Sequence, residues 1–270
     1  MLDTAFTIHT ESEELARRLA FIVHEAGHSI SPIKKVSFEF NVRNDVYEIK
    51  KGGRVCFTSD DLPNSIFHLQ WQMHHEALKE ITESIRIHAG CGELNGKRFL
   101  IVGDKGAGKT TLMVRLLFEG FRSIADELVL VKDTMVLPFP RRFHIKQYSV
   151  KLLPELKDLF DSLPFNQAKN DQKMYSFSPQ DAGFDWKIDE GELRAVFYLE
   201  PNHGGETRVL ECPKYMMAQR IMPMTFLSES EDYMKIGKIC KIIDSVDCYV
   251  LHIGDLDGAV SKLKEIMSDV

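Results

Sequence analysis

Gly103-Asp104-Lys105-Gly106-Ala107-Gly108-Lys109-Thr110 is the segment from which the fold is predicted most clearly. Its pattern, G-x-x-x-x-G-K-[ST], lets a glycine-rich backbone wrap around phosphate oxygens, and a following helix adds the positive end of its dipole. An apolar strand pattern precedes the stretch from Arg98 to Val102, and leucines at helical spacing follow it from Thr110 to Glu119. A strand, a glycine-rich loop and a helix in this order predict a nucleotide-binding α/β domain.

The polar residues of this loop have expected roles. We expect Lys109 to reach the β- and γ-phosphates and the Thr110 hydroxyl to ligate Mg²⁺. The motif alone therefore predicts a nucleoside triphosphate with its magnesium ion as the ligand. The predicted nucleotide-binding residues of this segment are Gly103, Asp104, Lys105, Gly106, Ala107, Gly108, Lys109, Thr110 and the adjacent Thr111.

Two adjacent acids, Asp126 and Glu127, stand between apolar runs after the predicted helix. P-loop proteins commonly place a magnesium-organising acid at the end of a second strand. Neighbours on a strand point to opposite faces, so one acid would face the phosphates, whereas at a bend both would line the site. A solvated acidic pair on a surface turn is the alternative interpretation.

Three further residues outside the loop are candidates for the site. His88 ends a predicted strand shortly before the loop, and a hairpin at Asn95-Gly96 would return it beside the phosphates. Arg141 and Arg142 follow a proline-braced turn, and an arginine aimed at the γ-phosphate would stabilise transition-state charge. Lone histidines and surface arginines are more often structural, so the structural interpretation stays open for all three.

The rest of the chain is arranged around this core. Region 1–83 contains two predicted helices, the first from Thr10 to Val23, among short strands with alternating apolar residues. We divide the chain into this N-terminal α/β accessory region and a P-loop core, 84–270. Within the core, a helix is predicted around Pro154 to Leu163, and the polar stretch Asn166 to Gly183 is expected to be mobile.

Net charge and cysteine usage exclude several classes of protein. A formal net charge of −6 disfavours broad binding to nucleic acids or anionic membranes. No apolar run reaches the roughly 18 residues of a membrane-spanning helix, and the acidic N-terminus lacks the layout of a signal peptide. The five cysteines are scattered, as in proteins of a reducing compartment. We expect a cytoplasmic protein without nucleic-acid or membrane partners.

Three motifs in this order resemble the HPr kinase/phosphorylase superfamily. They are Ile87-His88-Ala89-Gly90, the loop from Gly103 to Thr110, and Ala125-Asp126-Glu127, with Glu119-Gly120-Phe121-Arg122 between the last two. The resemblance is dense from His88 to Val131. It implies a phosphoenolpyruvate-carboxykinase-like, HPr-kinase-like α/β core and ATP-dependent phosphoryl transfer to a serine hydroxyl.

The resemblance also assigns roles to individual residues. It makes Asp126 the base that deprotonates the acceptor hydroxyl, with His88 paired to it. Glu127 corresponds to a second acid that helps to hold the metal, beside Thr110 and Asp126. Lys109, Asp126 and His88 are then the expected catalytic residues, ATP and Mg²⁺ the expected cofactors, and a homo-oligomer the expected assembly.

Two departures from the family pattern indicate which branch of the superfamily the chain resembles. Glu127 stands where the family has aspartate, and the later E-[VI]-R-G-x-G signature, associated with phosphorylase activity, is missing downstream of Asp126. The chain therefore looks more like a divergent branch that includes lasso-peptide tailoring kinases, with free-serine kinases also related. The expected acceptor is a serine hydroxyl of a peptide, a protein or free serine.

Other interpretations of the motifs stay open. The P-loop is also compatible with an ATPase or GTPase that acts as a conformational switch, or with a nucleotide-binding module without catalysis. A separate match, His24-Glu25-Ala26-Gly27-His28, fits the zincin pattern H-E-x-x-H. Gly27 and the following Ser31-Pro32 are expected to end the helix there, which disfavours a zinc site.

Overall fold

The computed structural model describes residues 1–24, 33–167, 172–226 and 232–269, together with 27–28; for 27–28 and 232–234 it describes the backbone alone. The chain divides into two compact units. Unit 1 is Met1–Glu80 with Pro140–Asp185, and unit 2 is Ile81–Phe139 with Trp186–Val270. No α-helix in the described ranges combines the length and hydrophobicity needed to cross a membrane.

The strands and helices are numbered in chain order. The strands are β1 Thr4–His9, β2 Gly27–His28, β3 Lys34–Arg43, β4 Val46–Lys51, β5 Arg54–Ser59, β6 Ile85–Ile87, β7 Gly90–Leu94, β8 Lys97–Val102, β9 Arg122–Ala125, β10 Val129–Lys132, β11 Met135–Pro138, β12 Phe143–Lys146, β13 Phe165–Gln167, β14 Lys173–Phe177, β15 Lys187–Ile188, β16 Gly191–Pro201, β17 Arg208–Glu211, β18 Thr225–Phe226 and β19 Asp247–Ile253. The α-helices are α1 Glu13–Leu19, α2 Leu62–Leu78, α3 Lys109–Phe118, α4 Lys214–Ile221, α5 Asp232–Asp244 and α6 Leu256–Asp269.

Unit 1 is built on a four-stranded sheet in the order β1-β3-β4-β5. β1 runs parallel to β3, and the other pairs are antiparallel. Helix α2 begins where the Asp61 carboxylate accepts a hydrogen bond from the Asn64 amide at 3.1 Å, and such a cap satisfies a free helix N–H. Its apolar face packs with the inward residues of β3 and β4 in a core that includes Phe38, Phe40, Ile49, Ile66, Leu69 and Met73.

Unit 2 is built on a ten-stranded mixed sheet. β8, β16 and β19 lie side by side and parallel, and antiparallel strands flank them. Alternate residues of β8 and β16 face opposite sides of the sheet. Phe99, Ile101, Phe197 and Leu199 pack against α3 and α6, whereas Leu100, Val102, Val196 and Tyr198 pack against α4 and α5. The sheet is thus covered by helices on both faces, and the mixed α/β fold class predicted from the sequence is confirmed.

Segment 140–185 differs most from the sequence expectation. It belongs to unit 1, where the Ser176 hydroxyl donates to the Phe21 carbonyl at 2.5 Å and the Asn166 amide donates to the Pro63 carbonyl at 3.2 Å. The units therefore divide the chain near residue 80, close to the predicted boundary at 83/84, and again at 139/140 and 185/186. The two-part division at 83/84 stays a prediction about domain organisation.

Three local predictions also differ from the structure. Helix α1 ends at Leu19 rather than Val23, because Phe21 and Ile22 are adjacent and both fully buried, which suits a turn better than one face of a helix. The segment from Pro154 to Leu163 forms short 3-10 turns instead of an α-helix. The stretch expected to be mobile forms part of the paired strands β13 and β14, and its residues 168–171 lie outside the described ranges.

Candidate nucleotide-binding site

The glycine-rich loop joins the end of β8 to the start of α3. The strand ends at Val102 and the helix begins at Lys109, as the motif predicts. Gly108 occupies the N-cap position with φ of 99°, a left-handed conformation that glycine adopts without steric cost. This turn brings the first N–H groups of α3 to the loop, where the positive end of a helix favours an anion.

Gly103 is the point where the loop passes closest to its neighbour in the sheet. A Cβ atom at this position would lie 2.9 Å from the Leu199 carbonyl oxygen of β16. The contact atom belongs to the backbone of a central strand and has little room to move. The first glycine of the motif is therefore required for close packing of the loop against the sheet.

Gly103→Ala is expected to lower the free energy of unfolding by about 1–3 kcal/mol, the usual range for forcing extra volume into a packed site. It should also weaken nucleotide binding, because the loop must shift away from β16. Thermal unfolding and a nucleotide titration measure the two effects. Gly237→Ala is the matched control, since among the described residues no atom beyond its chain neighbours and its own helix backbone lies within 4 Å of an added Cβ, and alanine stabilises a helix relative to glycine. Equal melting temperatures for both variants would contradict the packing argument.

Lys109 and Thr110 both face the loop and its surroundings. The Lys109 ammonium donates to the Gly103 carbonyl at 2.7 Å and to the Asp104 carbonyl at 3.2 Å. The Thr110 hydroxyl donates to the Asp126 carboxylate at 2.6 Å. Asp126 is only 1% exposed, so of the two interpretations of the acidic pair the structure favours a buried acid beside the loop.

The acidic pair lies in the bend between β9 and β10. Asp126 and Glu127 follow the last residue of β9, and Glu127 has φ of 79°. A non-glycine residue in this conformation is uncommon and costs energy unless its surroundings hold it. The strained bend allows Asp126 to point to the loop while the backbone of Glu127 turns towards His88.

His88 follows β6 directly and is anchored at two points. Its amide donates to the Met224 carbonyl at 2.8 Å, and its Nδ1 lies 2.9 Å from the Glu127 carbonyl oxygen. A carbonyl only accepts, so Nδ1 must carry the proton, and in the neutral ring the lone pair is then on Nε2. The structure thus brings Lys109, Thr110, Asp126, Glu127 and His88 to one edge of the sheet of unit 2.

This edge is the one where ligands bind in α/β proteins. The loop leaves the carboxyl end of β8, and the parallel strands β16 and β19 end at the same edge. In open α/β sheets, ligands bind in the crevice outside the carboxyl ends of the strands. The position of the loop and the side chains gathered beside it therefore point to the same site.

Sequence reasoning missed a second group of polar residues at this edge. Glu200 and His252 stand near the carboxyl ends of β16 and β19, and Arg220 reaches them from α4. One signal was available: Glu200 is the first acid after the buried apolar run Ala195 to Leu199, just as Asp126 follows a buried strand. Arg220 carried no such signal, because its partners are distant in sequence.

Arg141 and Arg142, the predicted phosphate contacts, belong to unit 1. Arg142 is buried, and its guanidinium donates to the Asp181 carboxylate at 2.6 Å and to the Ser176 hydroxyl at 2.8 Å. Arg141 donates to His144 Nδ1 at 2.9 Å. Both side chains thus have structural partners within unit 1, and their contact with nucleotide stays a prediction.

His24, the first histidine of the H-E-x-x-H match, lies after α1. Glu25 and Ala26 are outside the described residues, and Gly27–His28 form the short strand β2. Within the described part of the chain, no cluster of three or more His, Cys, Asp or Glu side chains has the arrangement to hold a metal ion.

His144 of unit 1 is nevertheless buried, His24 and His74 are half-buried, and the three are electrostatically coupled. Burial lowers the pKa of His24 to about 4 and holds the pKa values of His74 and His144 well below 6.5, with the nearby Arg141 charge acting in the same direction on the last two. The ring of His144 also stacks on Phe21, with centroids 4.4 Å apart. Because the Arg141 guanidinium donates a hydrogen bond to His144 Nδ1, that nitrogen carries no proton.

Unit 1 is therefore expected to lose stability in mild acid. A histidine whose folded pKa lies below its unfolded value of about 6.5 contributes stability that is complete above pH 6.5 and declines towards pH 4. Each such group changes the free energy of unfolding by at most about 1.4 kcal/mol per pH unit. Urea unfolding between pH 7.5 and pH 4 should show that the free energy of unfolding of His144→Gln falls less steeply with decreasing pH than that of wild type. An identical slope for His144→Gln would contradict the coupling.

Comparison with known proteins shows similarity to solved structures only at the level of the fold. No family model and no curated protein matches this chain. Among solved structures, the HPr(Ser) kinase/phosphatase from Coxiella burnetii is similar over 68% of this chain and 99% of its own, with 11% sequence identity and a TM-score of 0.34. Similarity at this level does not carry activity or substrate from one protein to the other.

Proposed function

We propose that this protein is an ATP-dependent, magnesium-requiring kinase that transfers the γ-phosphoryl group to a serine hydroxyl. The observation that carries the proposal is the 2.6 Å hydrogen bond between the Thr110 hydroxyl and the buried Asp126 carboxylate. The hydroxyl that we propose organises the metal thus lies beside the carboxylate that we propose is the base, and both are next to the glycine-rich loop. The order of motifs that resembles the HPr kinase/phosphorylase superfamily supports the same reaction.

The residues at the loop fit a magnesium ion. A hydroxyl oxygen of Thr110 and a carboxylate oxygen of Asp126 are hard oxygen donors, the type that Mg²⁺ prefers, and they already lie in contact. Glu127 follows in the same bend and is the third proposed ligand. When bound with the nucleotide, Mg²⁺ supplies positive charge to the phosphate oxygens.

Asp126 and His88 would act on the acceptor. As the acceptor oxygen attacks the terminal phosphorus, the Asp126 carboxylate takes the hydroxyl proton, and the bond from that phosphorus to the leaving nucleoside diphosphate oxygen breaks. His88, held by the Glu127 carbonyl with its lone pair on Nε2, would be paired with Asp126 and accept a hydrogen bond from its carboxyl group once that group carries the proton. When nucleotide binds, the Lys109 ammonium would donate to phosphate oxygens instead of to the Gly103 and Asp104 carbonyls.

The proposed acceptor is a serine of a peptide, a protein or free serine, as in the divergent branch that the sequence resembles. A peptide precursor, as in lasso-peptide tailoring, is one form of this proposal. The formal net charge of −6 disfavours strongly acidic macromolecules as acceptors. We also propose that the protein is cytoplasmic and that it forms a homo-oligomer.

Acceptor dependence of ATP turnover distinguishes the kinase from an ATPase or GTPase switch. Purified protein with MgATP is assayed for ADP formation with and without pools of serine peptides and with free serine. A kinase turns over ATP slowly alone and faster with its acceptor, whereas a switch hydrolyses nucleotide at one rate in all samples. Rapid turnover that no acceptor pool changes would contradict the proposal.

A further inference from the structure

The group of Tyr198, Glu200, His252 and Arg220 lies level with the glycine-rich loop. Val102, the last residue of β8, pairs with Tyr198 of the parallel β16. Glu200 is two residues further along and pairs with His252 of β19. Glu200 and His252 therefore lie beyond the end of β8, level with the start of the glycine-rich loop.

Arg220 is held over this part of the sheet by two contacts, one with Tyr198 and one with Glu200. Its guanidinium carbon lies 4.6 Å from the centre of the Tyr198 ring, a cation–π distance. Its Nη1 donates to Glu200, whose other carboxylate oxygen lies 3.3 Å from His252 Nδ1. The side chains of Arg220 and Glu200 remain 27% and 33% exposed, so the pair is accessible from the crevice.

One chain of contacts links Arg220 directly to the loop. Burial raises the pKa of Tyr198, and the negative charge of the nearby Asp104 acts in the same direction. Asp104 is the second residue of the loop. Arg220, stacked on the same ring, is thus separated from the loop by a single aromatic side chain.

A second chain of contacts links Arg220 to the proposed reaction centre. Helix α4, which carries Arg220, leads directly into the turn Met222–Met224. The Met224 carbonyl accepts the hydrogen bond from the His88 amide at 2.8 Å. Four residues of helix span about 6 Å, so Arg220 and His88 lie on the same side of the crevice.

Lys109 and Arg220 therefore approach the crevice from opposite faces of the sheet. Lys109 begins α3, which packs on the face with Ile101 and Leu199. Arg220 comes from α4, which packs on the other face, in the cluster that also contains Ala125. Ala125 immediately precedes Asp126, so the strand that leads to the proposed base borders this face.

We propose that Arg220 contacts the terminal phosphoryl group of the bound nucleotide, so that it distinguishes a triphosphate from a diphosphate. A guanidinium presents a planar fork that matches two phosphate oxygens. ATP carries roughly four negative charges, of which Mg²⁺ and Lys109 offset three, and Arg220 supplies the fourth positive charge. The Glu200 carboxylate, braced by His252, positions the guanidinium before nucleotide binds and competes with phosphate for it. The inference rests on the proposed function, because it assigns a residue to the same site.

The test compares nucleotides that differ only in the terminal group. Calorimetric titration of the whole chain with ADP and with the non-hydrolysable triphosphate adenylyl imidodiphosphate, both with Mg²⁺, gives two dissociation constants per variant. Arg220→Gln is expected to weaken triphosphate binding about tenfold or more and diphosphate binding less than about threefold. Arg220→Lys should recover part of the loss, because it restores the charge without the fork. Equal weakening for both nucleotides, or none, would overturn the assignment.

Glu200→Gln separates phosphate recognition from a merely structural ion pair. Both Glu200→Gln and Arg220→Gln break the pair, so a structural role predicts the same effect from each. The proposal predicts opposite effects, with triphosphate affinity unchanged or increased in Glu200→Gln because the carboxylate no longer competes. A loss in Glu200→Gln equal to that in Arg220→Gln would contradict it.

Arg194→Gln is the matched control for loss of an arginine. Arg194 forms a 2.8 Å pair with Glu192 and is 51% exposed, but it stands near the amino end of β16, about 20 Å along the strand from Glu200. Both dissociation constants should stay at wild-type values. If wild type binds both nucleotides but Arg220→Gln does not selectively weaken triphosphate binding, this inference fails while the proposed function stands. If wild type binds neither nucleotide, both fail.

Discussion

Asp126→Asn is expected to abolish phosphoryl transfer while leaving ATP binding nearly intact. The amide keeps the shape of the side chain and still accepts the hydrogen bond from Thr110, which is 2.6 Å long in this structure, but it cannot take up the acceptor proton. Loss of a general base lowers kcat by about 10²–10⁴-fold. The dissociation constant for ATP should change less than about threefold, because the loop, Lys109 and Thr110 are untouched and the asparagine carbonyl oxygen remains able to ligate Mg²⁺.

The measurement is single-turnover transfer from labelled ATP, paired with a nucleotide titration of the same preparation. Asp133→Asn makes the same chemical change at an exposed position of unit 2, where the carboxylate pairs with Lys241, and should transfer at the wild-type rate. Normal transfer by Asp126→Asn would show that another residue is the base. A large loss of ATP affinity in this variant would instead assign Asp126 to metal and nucleotide binding alone.

Lys109→Ala is expected to weaken ATP binding itself. Charge-assisted hydrogen bonds contribute about 1.5–3 kcal/mol, which corresponds to about 10–150-fold in the dissociation constant. The lysine also donates to the Gly103 and Asp104 carbonyls, so its loss loosens the loop in the absence of nucleotide. Affinity and transfer should therefore fall together, unlike in Asp126→Asn.

Lys97→Ala is the control for this variant. Lys97 begins β8, the strand that leads to the loop, and its ammonium donates to the Ser268 carbonyl at 3.4 Å at the opposite end of the strand. Its removal should alter neither affinity nor transfer. If Lys109→Ala bound ATP as tightly as Lys97→Ala, the loop would not be a phosphate-binding loop.

The part of the site that could be predicted from the sequence is its local part. Gly103 to Thr110 is one continuous segment whose spacing encodes the strand, the turn and the helix start, and the structure has each of them. Only the helix α3 and the strand β9 separate Asp126 from the loop in sequence. A strand that follows a helix returns to the same sheet, so the order of elements already brings Asp126 back to the loop. The structure places it 2.6 Å from Thr110.

The part that could not be predicted depends on pairing between distant segments. Glu200 reaches the loop because β16 pairs with β8, and Arg220 reaches Glu200 because α4 packs on one face of that sheet. The local sequence around Glu200 and Arg220 encodes neither the register of β16 against β8 nor the face of the sheet on which α4 packs. The same limit applies to segment 140–185, whose place in unit 1 depends on contacts such as Ser176 with Phe21.

Transfer of label from ATP to phosphoserine tests whether this site moves a phosphoryl group to a serine hydroxyl. The protein is incubated with γ-labelled MgATP and a serine-peptide pool, and the label is followed into acid-stable phosphoserine and into inorganic phosphate for wild type and Asp126→Asn. We predict that wild type labels phosphoserine in a restricted set of peptides and that Asp126→Asn labels none. Label that appears only as inorganic phosphate, at the same rate in both proteins, would contradict the account.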